Sequence, residues 1–193
     1  MGLFTKRQGA QELTGRQALE MKYASARRDI LIVLGFTIIN IILLLVNANT
    51  YFLFSAYIPF MIADTAMFLC GKYPAEFYEG YAIEFLGQGV FVALLVIAAV
   101  ILVMYLLSWF FSDKGRVGWM VFAAVLFGLD TLGMVLLGGL SLDYAFDILF
   151  HAWFLYSLIS GVCAYYKLKK LPPEEEAVQV SAEETEPVAT TEE

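Results

Sequence analysis

The sequence predicts an all-α protein, a polytopic membrane helix bundle with four transmembrane helices. Of its 193 residues 60% are hydrophobic and 16% are charged, whereas soluble domains carry about 25% charged residues. Apolar runs cover residues 30–46, 89–111, 117–137 and 145–166, and a helix needs roughly 20 apolar residues to cross the hydrocarbon core. Lipid offers the backbone no hydrogen-bond partners, so each run is predicted to be helical.

The net charge of -7 comes from the end of the chain. Residues 171–193 hold eight of the 19 acidic residues and none of the 12 basic ones, so the rest of the chain has 12 basic against 11 acidic residues. This stretch has no aromatic residue and cannot bury much apolar surface. We therefore predict an acidic, disordered cytoplasmic tail over residues 171–193, and nothing in the charge balance indicates nucleic acid.

The first 28 residues are predicted to form a basic cytoplasmic amphipathic arm. This stretch contains six basic residues and two glutamates, and Thr14 with Gln17 fits a capping box at the start of a helix. The arm is expected to extend the first membrane helix and to place its basic residues on membrane lipid headgroups. A helix that binds a protein partner is the alternative interpretation.

The segment after the first span decides between two topologies. Residues 51–71 are apolar enough to cross, but they contain Pro59 and Asp64. Basic residues prefer the cytoplasmic side, and they occur in the arm, at residues 112–116 and at residues 167–170. Four spans place all three basic regions inside, whereas five spans place the last two outside.

We therefore predict four spans at about residues 29–46, 84–111, 117–138 and 143–166, within a bundle that covers residues 29–170. Residues 47–83 are expected to be an aromatic-rich re-entrant or interfacial segment outside the cytoplasm, with five transmembrane helices as the alternative. Both termini are predicted to lie in the cytoplasm of a cell whose cytoplasmic membrane holds the protein.

Polar residues inside the predicted spans form the candidate site. Asp143, Asp147 and His151 recur at every fourth residue, which places them on one face of a helix. If a turn joins the last two spans at residues 138–142, Asp130 and His151 each lie roughly 13 Å below the outer surface, at a rise of 1.5 Å per residue. Asn40 reaches a similar depth from the first span, and Thr37 lies slightly deeper.

These side chains suggest an outward-facing polar pocket. Ionisable residues within spans usually face the bundle interior or a water-filled cavity, and Asp130, Asp147 and His151 are residue types that bind a divalent metal such as zinc, relay a proton or activate water. One histidine among scattered carboxylates lacks the spacing of a metal signature. Alternatively, Asp130 and His151 form a structural pair between helices, and Asp143 caps a helix.

Two functions are consistent with this pattern. The first is a non-enzymatic accessory or small-solute/ion-handling membrane component without a cofactor. Four spans are few for a transport path, so this function implies a homo-oligomer or a partner membrane protein. The second is a membrane-embedded metal-dependent hydrolase that acts on a lipid or a lipid-linked substrate. The sequence has no Gly-x-Ser-x-Gly motif of a serine hydrolase.

Two stretches carry a resemblance to known proteins. Residues 147–161 (DILFHAWFLYSLISG) with 164–170 (AYYKLKK), and residues 54–59 (FSAYIP), resemble small integral membrane proteins of Gram-positive bacteria with no assigned activity. The resemblance covers most of the predicted bundle but not the acidic tail. It implies a bacterial cytoplasmic membrane and no particular activity.

The four-span prediction is tested by the sidedness of the two termini. Tags at the N- and C-termini should both resist a membrane-impermeant reagent in intact cells and react after permeabilisation. A C-terminal tag that reacts in intact cells would contradict four spans and support five.

Overall fold

The computed structural model describes residues 15–113, 115–138 and 145–171, and this part of the chain is helical without strands. Four helices are long and apolar enough to cross a membrane, and a fifth of 13 residues is shorter. The predicted class, a polytopic helical bundle with four candidate spans, is confirmed. The elements are α1 (Gly15–Leu45), α2 (Tyr57–Leu69), a short 3-10 helix (Ala75–Tyr78), α3 (Gln88–Phe111), α4 (Val117–Gly138) and α5 (Ala145–Leu168).

The four long helices neighbour one another around the bundle in the order α1, α3, α4, α5, and α5 packs back against α1. Their shared core is apolar and includes Ile30, Phe127, Phe154 and Leu158. The short helix α2 packs against α1, α3 and α4. Helix α2 is thus an inner element beside three spans rather than a fifth span.

Helices α1 and α5 approach closely because both carry small residues at their contact. A Cβ built on Gly161 would overlap the Cβ of Ala26. One turn further along α1, the hydroxyl of Ser157 donates to the buried carboxylate of Asp29. Glycine at position 161 therefore allows the two backbones to approach closely enough for this hydrogen bond.

The chain turns back into the bundle after α1. The N–H of Asn47 donates to the carbonyl of Leu44 and that of Ala48 to the carbonyl of Leu43, at 2.9 Å each, with Asn47 at φ 55. This is the Schellman arrangement, which ends a helix with a left-handed residue. Residues 48–56 then run into the bundle without regular structure and return as α2; we call residues 48–69 the re-entrant segment.

The inner end of the re-entrant segment lies against α4 at Gly133. A Cβ on Gly133 would lie 2.9 Å from Cδ1 of Ile58. Gly133 is five residues before Gly138, the last residue of α4, so Ile58 lies well inside the bundle. Of the predicted segment 47–83, residues 48–69 thus fold back against the bundle, while Ala75–Tyr78 forms a separate short helix with no buried residue.

Helix α3 begins four residues later than the predicted start of the second span. Glu84 precedes the helix, and Gly87 has an extended backbone at its N-cap. The N–H of Leu86 donates to the carbonyl of Leu69 at 2.9 Å, so the chain first pairs with the end of α2. Helix α3 therefore begins at Gln88, two residues after this contact.

We expect Gly161→Ala to destabilise the protein by about 1–3 kcal/mol, because the added methyl group forces α1 and α5 apart. The matched control is Gly35→Ala in α1, where a Cβ would meet nothing within 4 Å and should be neutral or stabilising by up to ~1 kcal/mol. Unfolding in detergent micelles, followed by circular dichroism, gives both values. Equal stability of the two variants would contradict the close contact.

Candidate functional site

Polar side chains from three helices converge on the inner end of the re-entrant segment. Thr37 and Asn40 come from α1, Asp130 from α4 and His151 from α5, and each is at most 3% exposed. Such groups are costly in a hydrocarbon environment unless each is paired. Their partners therefore explain why the sequence places them there.

Asn40 holds the irregular stretch before α2. Its side-chain N–H donates to the carbonyl of Phe52 at 2.6 Å, and its side-chain oxygen accepts the N–H of Phe52 at 2.8 Å. The amide group thus satisfies both backbone groups of one residue, as a neighbouring strand would. An apolar residue at position 40 would leave both backbone groups of Phe52 unpaired.

Thr37 provides the next partner along the segment. Its hydroxyl oxygen accepts the N–H of Ala56 at 2.8 Å, while the hydroxyl itself donates to the carbonyl of Val33 at 2.7 Å. Ala56 is the N-cap residue of α2 and has no side chain that could cap the helix. The capping function is therefore supplied from other helices.

Asp130 caps α2 from α4. One carboxylate oxygen accepts the N–H of Tyr57 and the other accepts the N–H of Ile58, both at 2.8 Å. These are the first two residues of α2, whose N–H groups have no partner inside the helix. The third residue is Pro59, which has no N–H and suits the first turn. A carboxylate also complements the partial positive charge of a helix N-terminus.

His151 completes the cluster, with its ring flat against Phe127 at 5.0 Å between ring centroids. Its Nδ1 lies 2.8 Å from the carbonyl oxygen of Asp147, and its Nε2 lies 3.2 Å from Oδ2 of Asp130. A carbonyl oxygen only accepts, so Nδ1 carries a hydrogen. The contact of Nε2 with Asp130 then requires one proton between the two atoms, because two facing lone pairs would repel.

The predicted site residues have different partners in the structure. Asp130 and His151 are in direct contact, and Asn40 lies at a similar depth but binds Phe52. Asp147 reaches His151 through its main-chain carbonyl, because a helical histidine readily contacts the carbonyl four residues earlier. Asp143 lies outside the described residues.

The predicted metal ligands do not form a set. Within residues 15–113, 115–138 and 145–171, no group of three or more His, Cys, Asp or Glu side chains could hold a metal ion. The re-entrant segment also covers the polar cluster, which is buried rather than open to the outside. Any outward-facing pocket would require the inner end of α2 to move.

Asp64, the one acidic residue of α2, lies apart from the cluster. Its carboxylate accepts a hydrogen bond from the hydroxyl of Tyr73 in the loop after α2. Burial, followed by this hydrogen bond and the charge of Asp64, raises the pKa of Tyr73 well above its usual value of 10. Tyr73 therefore remains a protonated donor, and the pair fixes the loop to α2.

Sequence reasoning did not identify the main-chain partners of the cluster. Tyr57 and Ile58 contribute only N–H groups, which no residue type reveals. The available signal was Pro59, because proline in the first turn of a helix marks a helix start. Tyr105 was also missed: its buried hydroxyl has no hydrogen-bond partner among the described residues, and its ring packs against Phe127, which stacks on His151.

No protein-family model, curated protein or solved structure matches this chain. A functional interpretation therefore depends on the geometry of the cluster formed by Thr37, Asn40, Asp130 and His151. We call these four residues the re-entrant cluster.

The contacts predict that removing the Asp130 side chain lowers stability more than removing that of His151. Asp130→Ala leaves two N–H groups of α2 and one imidazole unpaired, at about 1–3 kcal/mol for each lost partner, whereas His151→Ala removes one partner. Unfolding of single and double variants in micelles should show Asp130→Ala as the more damaging change, with a coupling of about 0.5–3 kcal/mol.

Asp147→Ala is the matched control for this comparison. It keeps the main-chain carbonyl that His151 contacts, so we expect little loss of stability. A coupling near zero between Asp130→Ala and His151→Ala, or a larger loss in His151→Ala than in Asp130→Ala, would contradict the arrangement.

Proposed function

We propose that the protein is a non-enzymatic membrane component that handles an ion, and that this ion is the proton shared by Asp130 and His151. The observation that carries the proposal is the contact of Nδ1 of His151 with the carbonyl of Asp147. It places the hydrogen of the neutral ring on Nδ1, so the contact between Nε2 and Oδ2 holds a second proton, and we propose that this proton exchanges.

The same contacts weigh against hydrolysis. Both oxygens of Asp130 accept N–H groups of α2, and both nitrogens of His151 are engaged. A general base or a metal ligand needs a lone pair directed at water, metal or substrate. His151 has no free nitrogen in this arrangement, and Asp130 keeps one lone pair, on Oδ1, beyond its described contacts. No contact among the described residues favours a metal-dependent hydrolase.

Proton binding and the docking of α2 are coupled through Asp130. With the proton, Asp130 and His151 are together neutral, which suits a hydrocarbon environment. Loss of the proton leaves a net negative charge and opposes two lone pairs at 3.2 Å. The protonation state therefore biases how tightly the inner end of α2 is held, which is the kind of local charge change that drives a two-state element.

One further group beside the pair extends the proposed path. Tyr105 of α3 has a buried hydroxyl, and its ring packs against Phe127, which stacks on His151. Four spans enclose little room for a continuous path. We therefore propose that the chain acts as a homo-oligomer or beside a partner membrane protein, in a cell membrane with both termini in the cytoplasm.

The proposal is tested in lipid vesicles that contain the purified protein, a pH-sensitive dye and an imposed pH gradient. Proton entry should be several-fold faster with the wild type than with Asp130→Asn or His151→Gln, which remove the shared proton. Asp147→Asn should retain the wild-type rate, because only its main chain is used. Circular dichroism verifies that each variant is folded.

Equal proton entry in the wild type and Asp130→Asn would contradict ion handling. Elemental analysis of the same preparation tests the competing function. Stoichiometric zinc or iron that is lost in His151→Ala would contradict the proposal and support the metal-dependent hydrolase.

A further inference from the structure

A groove at the opposite end of the bundle lies between α1 and the turn that joins α3 to α4. Its volume is about 330 Å³. Two arginines, one aspartate and three aromatic residues line it: Arg27, Trp109, Phe110, Phe111, Asp113 and Arg116. We call it the arginine groove.

The side chain of Arg27 lines the groove on the side of α1 and is held in place by several contacts. Its guanidinium donates to the Ser112 hydroxyl at 3.1 Å and to the Trp109 carbonyl at 3.3 Å, and it pairs with the Asp113 carboxylate at 3.1 Å. The hydroxyl of Tyr23 also donates to the Ser112 carbonyl at 2.6 Å. These contacts attach α1 to the C-terminal end of α3 and engage the one carboxylate of the groove.

Arg116 lines the groove on the side of the turn. It is exposed, and its guanidinium has no partner among the residues that the structure describes. The turn beneath it is held in place, because Gly115 adopts φ 75 and its carbonyl accepts the hydroxyl of Tyr165 at 2.7 Å. The groove therefore offers one uncompensated positive charge on a fixed support.

The position of the groove limits what can occupy it. It lies where two span-length helices end, which is the depth of the lipid phosphates. Phe110 is 61% exposed at its edge, next to the apolar surface that faces lipid. Lys167, Lys169 and Lys170 end α5 or follow it, which makes this the basic end of the bundle.

We propose that the arginine groove binds one anionic phospholipid, with its phosphate at Arg116 beside the Arg27–Asp113 pair and its acyl chains along Phe110. Guanidinium groups bind phosphate oxygens through two parallel hydrogen bonds. Asp113 offsets the charge of Arg27, so the three charged side chains of the groove leave a net positive charge from Arg116. The groove thus favours a net negative headgroup.

The test uses the full chain in a non-ionic detergent, with thermal unfolding measured as phosphatidylglycerol is added. The wild type should gain stability with phosphatidylglycerol and not with phosphatidylcholine. Arg116→Gln should need about tenfold more phosphatidylglycerol for the same gain, which corresponds to loss of one charged contact of ~1.4 kcal/mol. Lys169→Gln removes an exposed charge from the same end and should behave as the wild type.

Three results would overturn the proposal. These are an equal response of Arg116→Gln and the wild type to phosphatidylglycerol, an equal response of the wild type to phosphatidylcholine, and full stabilisation by inorganic phosphate alone, which would indicate a site for free anions. Arg116→Lys serves as a second variant if Arg116→Gln unfolds early. It keeps the charge without the paired donors and should lie between the wild type and Arg116→Gln.

Discussion

A chain that turns back inside a membrane must bring hydrogen-bond partners for its exposed backbone, because lipid supplies none. The re-entrant segment breaks regular structure between α1 and α2, and it leaves several N–H groups without partners. Asn40, Thr37 and Asp130 meet this requirement in the order in which the segment passes them. The intramembrane polar residues of α1 and α4 are thus explained first by the backbone of residues 52–58.

The need to pair the backbone of the re-entrant segment links the stability of the protein to its proposed activity. Asp130 holds the start of α2, and it also contacts His151, with which we propose that it shares a proton. A change in that proton therefore acts on the residue that positions the re-entrant segment. A membrane bundle with a buried half-helix can use such a residue to couple ion binding to movement, as discontinuous helices do in transporters.

Hydropathy and helix geometry predicted the four spans and brought Asp130 and His151 to the same depth, because both depend only on residue spacing along straight helices. The partners of Asp130 were not predictable in this way. The N–H groups of Tyr57 and Ile58 belong to any residue type, and their position depends on how the chain folds back. Asp147 shows what helical periodicity cannot predict. Periodicity places Asp147 and His151 on one helix face, but it does not determine whether the carboxylate or the main-chain carbonyl of Asp147 contacts His151.

The basic residues show the same difference between what the sequence predicts and what only the folded structure reveals. Their distribution along the sequence predicts which helix ends lie on the same side of the membrane. It does not distinguish Arg27, which holds α1 to α3, from Arg116, which has no described partner. Only tertiary contacts separate a structural arginine from one that is available for a ligand.

The central claim is that the bundle itself pairs the backbone at the start of α2. Hydrogen exchange of the backbone amides, measured in lipid nanodiscs, tests it most directly. The amides of Ala56, Tyr57 and Ile58 should exchange as slowly as those of the neighbouring spans, and Asp130→Leu should accelerate Tyr57 and Ile58 selectively. Exchange at these three positions as fast as at Glu84 and Phe85, which precede α3 outside any helix, would contradict the account.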